Sequence, residues 1–256
     1  MGDALYGRHV VSMALALRPA GCQRLYVQTG LAESTQDVVR AARAHAHIAV
    51  EHVDKMRLNV LCHNRPHQGV ALVASPLPVV DLVGLQTMPV VAQPGKALLA
   101  IAIDEVHDPG NLGGLLRAGF FFGACAVLLS AKNTCGVTAV AAKASAGTSE
   151  ALSAEGRLFQ SRNLVAALDA HKRHGWRVLG TAAERGTLSD VPAAPLSILV
   201  LGNEGAGLRA NVKALCDGLV HLPSAPSAAT MPDVSLNVTS AASAILARWQ
   251  LRMTQP

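Results

Sequence analysis

Three short segments of this 256-residue chain carry residue types that could do chemistry. The first is Asp104-Glu-Val-His-Asp-Pro-Gly-Asn-Leu-Gly-Gly-Leu-Leu-Arg117. Asp108, Pro109 and Gly110 read as a turn, and Asn111 can cap the helix that follows. Arg117 stands nearly two turns into that helix, yet its neighbours Leu115, Leu116, Ala118 and Phe120 are apolar. A guanidinium stays protonated and offers five donors, so it suits an anion. The ordinary alternative is an ion pair with Asp104 or Asp108. Asp104, Glu105, His107 and Asp108 do not have the spacing of a standard metal site, so no metal is expected.

The second segment is Leu201-Gly-Asn-Glu-Gly-Ala-Gly-Leu208. Glycines in that number after an apolar run mean a backbone that approaches something closely or takes positive φ. The pattern is neither the dinucleotide nor the P-loop fingerprint. Glu204 also puts negative charge where a helix start would favour an anion. A cationic or hydrogen-bond-donating ligand suits it better, and a structural tight turn is the plain alternative. The third segment is His221-Leu-Pro223, then 224–234 (SAPSAATMPDV), then Ser235-Leu-Asn-Val238 at the start of the final helix. Ser235 or Asn237 as an N-cap explains one of the two polar residues but not both. No G-x-S-x-G elbow surrounds Ser235, which disfavours a hydrolase.

The elements that must position these segments follow from the hydrophobic pattern. Half the residues are hydrophobic, 15% are charged and only 3% aromatic, so Ala, Val and Leu supply most of the burial. A continuous apolar run at 97–103 reads as a strand buried on both faces, and strand-like runs recur at 125–129, 176–180, 196–201 and 218–222. Helical stretches at 112–123, 137–145, 163–174, 208–215 and 237–252 alternate with them, which predicts a parallel sheet covered by helices. Ligands bind beyond the carboxyl ends of such strands, and all three segments lie there. Upstream, a helix over 5–17, strands at 24–28, 48–50 and 69–74, and helices over 34–46 and 53–62 make a compact α/β unit. Ser34 is the expected cap of the first of those two helices. Pro76, Pro78, Pro89, Pro94 and Gly95 argue for a linker over 76–96 between the units.

A formal charge of +5 favours an anionic partner such as nucleic acid, though no run of consecutive basic residues exists. The five cysteines form no C-x-x-C pair, so a reducing compartment is expected rather than a disulfide framework. The N-terminal Met1-Gly2-Asp3-Ala4 reads as no secretory signal, and no apolar run reaches the roughly 20 residues of a membrane span, so no membrane partner is expected.

Taken together, the segments resemble the SpoU/TrmH family of SPOUT methyltransferases. Asn111-x-Gly113-x-x-x-Arg117 is similar to that family's first motif, Gly202-Asn-Glu-Gly-x-Gly-Leu208 to its second, and Leu222-Pro223 with Ser235-Leu-Asn-Val238 to its third. Lys143-Ala-Ser-Ala-Gly147 also matches a stretch the family carries between motifs. Leu5-Tyr-Gly-Arg-His-Val10 and His67-Gln-Gly-Val70 resemble its N-terminal substrate-binding domain. Three motifs in the right order at strand ends are specific where each alone is weak.

The resemblance implies an α/β protein: a small ribosomal-protein-like RNA-binding domain over 1–75, a linker over 76–96 and a SPOUT methyltransferase domain over 97–256. The second domain would be an α/β-knot, with a deep trefoil knot that periodicity cannot show. The implied activity is S-adenosyl-L-methionine-dependent 2′-O-methylation of a ribose in rRNA, with large-subunit rRNA and guanosine favoured. Gly180, Thr181, Gly202, Asn203, Glu204, Gly205, Leu222, Ser235, Leu236 and Val238 would hold the cofactor. Arg117, Asn111, Ser235 and Asn237 would serve the reaction. A tRNA ribose methyltransferase and a non-catalytic ribosome-assembly factor of the same fold stay open as alternatives. A nicotinamide dehydrogenase finds no glycine fingerprint after the first strand.

One departure from the family pattern concerns 224–234, which is longer than usual and lacks glycine. That length resembles the mitochondrial large-subunit rRNA branch and implies a mitochondrial setting, with the cytoplasm as the alternative. Phe120-Phe121-Phe122 cannot all point inward from one helix. The excess apolar surface, with the family's habit of dimerising, implies a homodimer or a dimer with a related SPOUT protein.

Overall fold

The computed structural model describes residues 4–91, 94–182, 188, 190–192, 194–223 and 235–254. The N-terminal unit runs β1 (Leu5–Tyr6), α1 (Arg8–Leu17), β2 (Cys22–Gln28), α2 (Ala32–Arg43), β3 (Ala49–Val53), α3 (Lys55–Leu61) and β4 (Val70–Ala74). Its sheet has the order β1-β4-β2-β3, with β2 and β3 parallel and β4 antiparallel to β1 and β2. Leu25, Val27, Val70 and Leu72 meet Val10, Ala14, Leu15 and Leu58 in one core. Ser34 is not the cap of α2: the helix begins earlier, with Leu31 at the N-cap position. Asp54 does cap α3, its side chain accepting from the Arg57 N–H at 2.7 Å.

The stretch expected to be a bare linker joins the second sheet instead. Val80–Asp81 forms β5, parallel to β8 (Leu158–Ser161). Met88, 2% exposed, is held further on by its N–H on His171 Nε2 at 2.9 Å. Prolines remain compatible with this because a two-residue edge strand needs few ladder bonds.

The second sheet also contains β6 (Leu98–Ile103), β7 (Val127–Ser130), β9 (Arg177–Ala182), β10 (Leu196–Leu201) and β11 (Gly218–His221). The order is β11-β9-β10-β6-β7-β8-β5, and every pairing is parallel, as the alternation predicted. Burial on both faces explains the continuous apolar runs. Leu99, Ile101 and Ile103 of β6 face a core shared with α4 (Pro109–Phe121), α5 (Ala139–Ala144), α6 (Thr148–Ala154) and α9 (Val238–Thr254). Ala100 and Ala102 face the opposite core, under α7 (Leu164–Arg173) and α8 (Ala210–Leu215). The strand β8 and the helix α6 were not expected. Leu158-Phe-Gln-Ser161 is too short and mixed to announce a strand, and α6 spans seven residues.

Adjacent placement of β11, β9, β10 and β6 matters most for function. Their carboxyl ends bring Thr181, Gly202, Leu222 and Asp104 to one edge of the sheet.

Candidate active site

At the end of β6, Asp104 is fully buried and carries the only acidic side chain at 0% exposure among the described residues. Its charge is met by Arg209, which donates from Nε at 2.8 Å, from a terminal nitrogen at 2.6 Å and from its backbone N–H at 3.2 Å. Arg209 opens α8, directly after the glycine segment. The end of β6 and the loop after β10 are thereby fastened together.

The glycine segment is a closed loop. Asn203 and Gly207 exchange backbone bonds at 3.0 and 2.9 Å, and Asn203 Oδ1 accepts from the N–H groups of Gly205 and Ala206. A Cβ on Gly202 would lie 2.5 Å from the Gly207 carbonyl carbon, and Gly207 holds φ +68°. Both positions therefore require glycine. Asn203 Nδ2 donates to the Glu105 carbonyl at 3.0 Å, a second tie to the end of β6.

Asn111 does not cap its helix. Asp108 does, accepting from the Asn111 N–H at 2.7 Å. That releases the Asn111 amide to donate to Glu204 Oε1 at 2.5 Å and to accept from Asn237 Nδ2 at 3.0 Å. Asn237 in turn accepts the Thr239 N–H at 2.9 Å, so Asn237, rather than Ser235, acts at the start of α9. The chain of bonds fixes both amide orientations. A backbone N–H can only donate, so Asn237 Oδ1 faces Thr239 and its NH2 faces Asn111; the Asn111 NH2 is then left for the carboxylate. Residues from all three sequence segments thus form one side-chain relay.

Glycines also permit this closeness. A Cβ on Gly113 would stand 2.6 Å from Ala144 Cβ of α5, and one on Gly114 would stand 2.7 Å from Thr239 Cγ2 of α9. Arg117, farther along α4, is exposed and makes no hydrogen bond or ion pair among the described residues. The expected pairing with Asp104 or Asp108 is not made: Arg209 occupies the first and the α4 N-terminus the second.

A cavity of about 490 Å³ opens beside the relay. Thr181, Gly202, Asn203, Glu204, Gly205, Ser235, Leu236 and Val238, all among the residues that the resemblance assigns to a cofactor, line it. Its size and mixed lining fall in the range of small-molecule and cofactor sites. Ala182, Ala206, Gly207, Leu208, Lys213 and Ala241 also line it and were not singled out. Of these, Ala206, Gly207 and Leu208 belong to the glycine segment, and the others carried no signal. Gly180 and Leu222 lie off the lining. Gly180 makes room for packing, since a Cβ there would lie 2.6 Å from Leu208 Cδ1. Leu222 packs against the core instead. Asn111, Asn237 and Arg117 stand outside the lining too. Residues 224–234, whose length departs from the expected pattern, lie outside the described residues.

The model of the SpoU rRNA Methylase family matches residues 98–247. The chain belongs to this family. A second family model, RNA 2′-O ribose methyltransferase substrate binding, matches residues 4–80. As a SpoU protein the chain is an RNA 2′-O-ribose methyltransferase, with S-adenosyl-L-methionine as methyl donor.

Among its relatives, the 23S rRNA (guanosine-2′-O-)-methyltransferase RlmB of Burkholderia sp is 33% identical over 86% of each chain. Human mitochondrial rRNA methyltransferase 1 is 30% identical, over 95% of this chain and 71% of that protein. An uncharacterised tRNA/rRNA methyltransferase of Synechocystis is 31% identical, and this chain spans 61% of its length. The SpoU methyltransferase AviRb of Streptomyces viridochromogenes, solved with AdoMet, shares the fold at a TM-score of 0.70 and 23% identity, over 97% of this chain and 89% of that one.

The residues present suit the SpoU cofactor. Gly207, with open space where a Cβ would stand, leaves bare backbone on the cavity wall, and Glu204 suits a cationic donor. No group of three or more metal-ligating side chains occurs among the described residues, and no described helix is long and apolar enough to cross a membrane.

Proposed function

We propose that this chain methylates a ribose 2′-hydroxyl of ribosomal RNA, in the large subunit and with guanosine favoured. The observation that carries the reading is the Glu204–Asn111–Asn237 relay beside a glycine-walled cavity, with Arg117 on the same helix as Asn111 and without a partner among the described residues. The named substrate of RlmB relatives supports the choice of RNA and base.

S-adenosyl-L-methionine supplies an electrophilic methyl group on a sulfonium. The protein's part is to bring a weakly acidic hydroxyl to it and to favour negative charge on that oxygen. Thr181, Gly202, Asn203, Glu204, Gly205, Ser235, Leu236 and Val238 hold the donor, with Gly180 and Leu222 shaping the wall behind them. Arg117 stays protonated, binds the RNA phosphate and steadies the emerging alkoxide. Asn111, Asn237 and Ser235 orient the ribose.

The same reading includes a trefoil knot over the C-terminal part and assembly as a dimer. Phe121 is 73% exposed on α4 and Leu251 63% exposed on α9, two helices that pack together. Phe120 and Phe122 pack against the core, so only the middle phenylalanine is left outward. Light scattering that returned the mass of one chain at micromolar concentration would remove the dimer.

The test of function is tritium transfer from labelled donor to large-subunit rRNA and to tRNA, followed by mapping of ribose methylation. Transfer to rRNA at one 2′-hydroxyl is expected. Transfer to tRNA alone, or none to either, would refute the proposal.

A further inference from the structure

Three motifs picked out in the sequence take no part in the site: Leu5-Tyr-Gly-Arg-His-Val10, His67-Gln-Gly-Val70 and Lys143-Ala-Ser-Ala-Gly147. None of their residues lines the cavity. They meet one another instead. Gln68 holds φ +53° and turns its Oε1 to accept from Lys143 Nζ at 2.7 Å and from the Arg8 N–H at 3.2 Å. His67 holds that turn, its Nδ1 accepting the Gly69 N–H at 3.0 Å while Nε2 donates to Asn59 Oδ1 at 3.1 Å. Gly7 holds φ +90°, and a Cβ there would collide with Lys143 Nζ. Gly147 holds φ +89°, and a Cβ there would lie 2.6 Å from Met13 Cγ. Both glycines are thus fitted to the other domain's side chain.

The contact continues beyond the motifs. Arg18 of the N-terminal domain grips Glu150 of α6 with two parallel bonds, at 2.6 and 3.1 Å. The Glu150 side chain is 1% exposed and that of Arg18 13%, and paired geometry of this kind is what makes a buried charge tolerable. Arg18 also donates to the Ser75 carbonyl at 2.8 Å, the last residue before the connecting stretch. Ala139 and Ala142 of α5 belong to the core of the N-terminal domain rather than to that of their own sheet. Burial holds the Lys143 ammonium below the usual lysine range.

We infer that the N-terminal domain is clamped to the catalytic domain rather than tethered to it. Gln68 and Arg18, with Lys143 and Glu150, act as positioning residues that hold RNA bound by the first domain at a set offset from the cofactor cavity. The inference rests on the rRNA reading for its consequence, but not for the clamp itself. A fixed offset raises the effective concentration of the target ribose at the site, which a loose tether would dilute.

Small-angle scattering and kinetics on the full chain test it. The wild type fits one rigid shape. The double variant Lys143→Met/Glu150→Gln fits only a spread of domain separations. Its KM for a large-subunit rRNA transcript rises about tenfold, while kcat at saturating RNA and S-adenosylhomocysteine affinity stay within about threefold. Gln68→Asn, which tolerates the same backbone but is too short to reach Lys143, gives a smaller rise. Gln68→Glu, which can pair with Lys143, keeps the wild-type KM. A wild type that scatters as separated domains overturns the clamp, as does an unchanged KM in the double variant. If the wild type methylates no RNA, the functional reading falls and scattering alone decides the clamp.

Discussion

Asn111 and Glu204 lie 93 residues apart in the chain and meet at 2.5 Å, amide to carboxylate. The contact joins the start of α4 to the glycine loop after β10. It exists because Asp108 caps the helix and leaves the Asn111 side chain free to turn outward. The orientation of this amide is dictated from the far side by Asn237, so three loops share one hydrogen-bond pattern.

Asn111→Asp should expose that dependence. The new carboxylate would face Glu204 at the place of a 2.5 Å donor, and two carboxylates so close cannot both stay ionised. Methyl transfer is expected to fall at least about a hundredfold at pH 8, with part of the rate returning as pH is lowered and one proton is shared. Affinity for S-adenosylhomocysteine, measured by calorimetry, should change only a few-fold. A rate that keeps falling at low pH would refute the shared-proton account.

Arg117→Ala should abolish methylation while leaving cofactor affinity within a few-fold. The side chain has no partner among the described residues, so its loss removes no internal support and should leave the melting temperature unchanged. Arg117→Lys keeps the charge but loses the planar fork, and should recover only a small part of the rate. Full activity in the alanine variant would remove Arg117 from the reaction.

Much of the fold could be read from the sequence because burial on both faces writes continuous apolar strands such as Leu98–Ile103 and Leu196–Leu201. Leu158–Ser161 escaped because Gln160 and Ser161 interrupt the apolar pattern of a four-residue strand. At the site, residue types pointed to Asn111, Glu204 and Asn237, but not to which atom faces which. Helix capping was the wrong reading for Asn111, because the helix starts earlier: Asp108 is the cap and accepts the N–H of Asn111 itself. Lys213 and Ala241 reach the cavity only through tertiary packing, and no local pattern marks them. The roles of Gln68 and Lys143 were hidden for the same reason: a contact between domains leaves no periodicity.

Arg209→Leu should damage the cofactor loop from behind. It leaves the fully buried Asp104 charge without its main partner, a change that costs about 3 kcal/mol at a typical buried site. The loss should appear in chemical denaturation, together with a raised KM for the methyl donor. The double variant Asp104→Leu/Arg209→Leu removes the stranded charge and should regain part of the stability but not the donor affinity. If both variants are equally unstable, the pair is not what fastens the loop.

His171 should give the protein an acid-sensitive seam between the connecting stretch and the catalytic sheet. Its ring is fully buried, with Nδ1 donating to the Ala167 carbonyl at 2.6 Å and Nε2 accepting the Met88 N–H at 2.9 Å. Both nitrogens are satisfied only in the neutral ring. Burial is the main cause that holds its pKa below the ordinary 6.5; the Ala167 bond works against this, and His174 nearby adds to the lowering. A lowered folded-state pKa means the unfolded chain binds the proton first. The stabilising effect is therefore complete above 6.5 and is lost as pH falls from there through the folded value. Denaturation midpoints measured between pH 7.5 and pH 5 should fall for the wild type and fall less for His171→Phe, which keeps the ring but cannot charge. The phenylalanine variant loses the Met88 bond, so it should start about 1 kcal/mol lower at neutral pH, and the two curves should converge toward acid. Parallel curves would show that other groups carry the acid dependence.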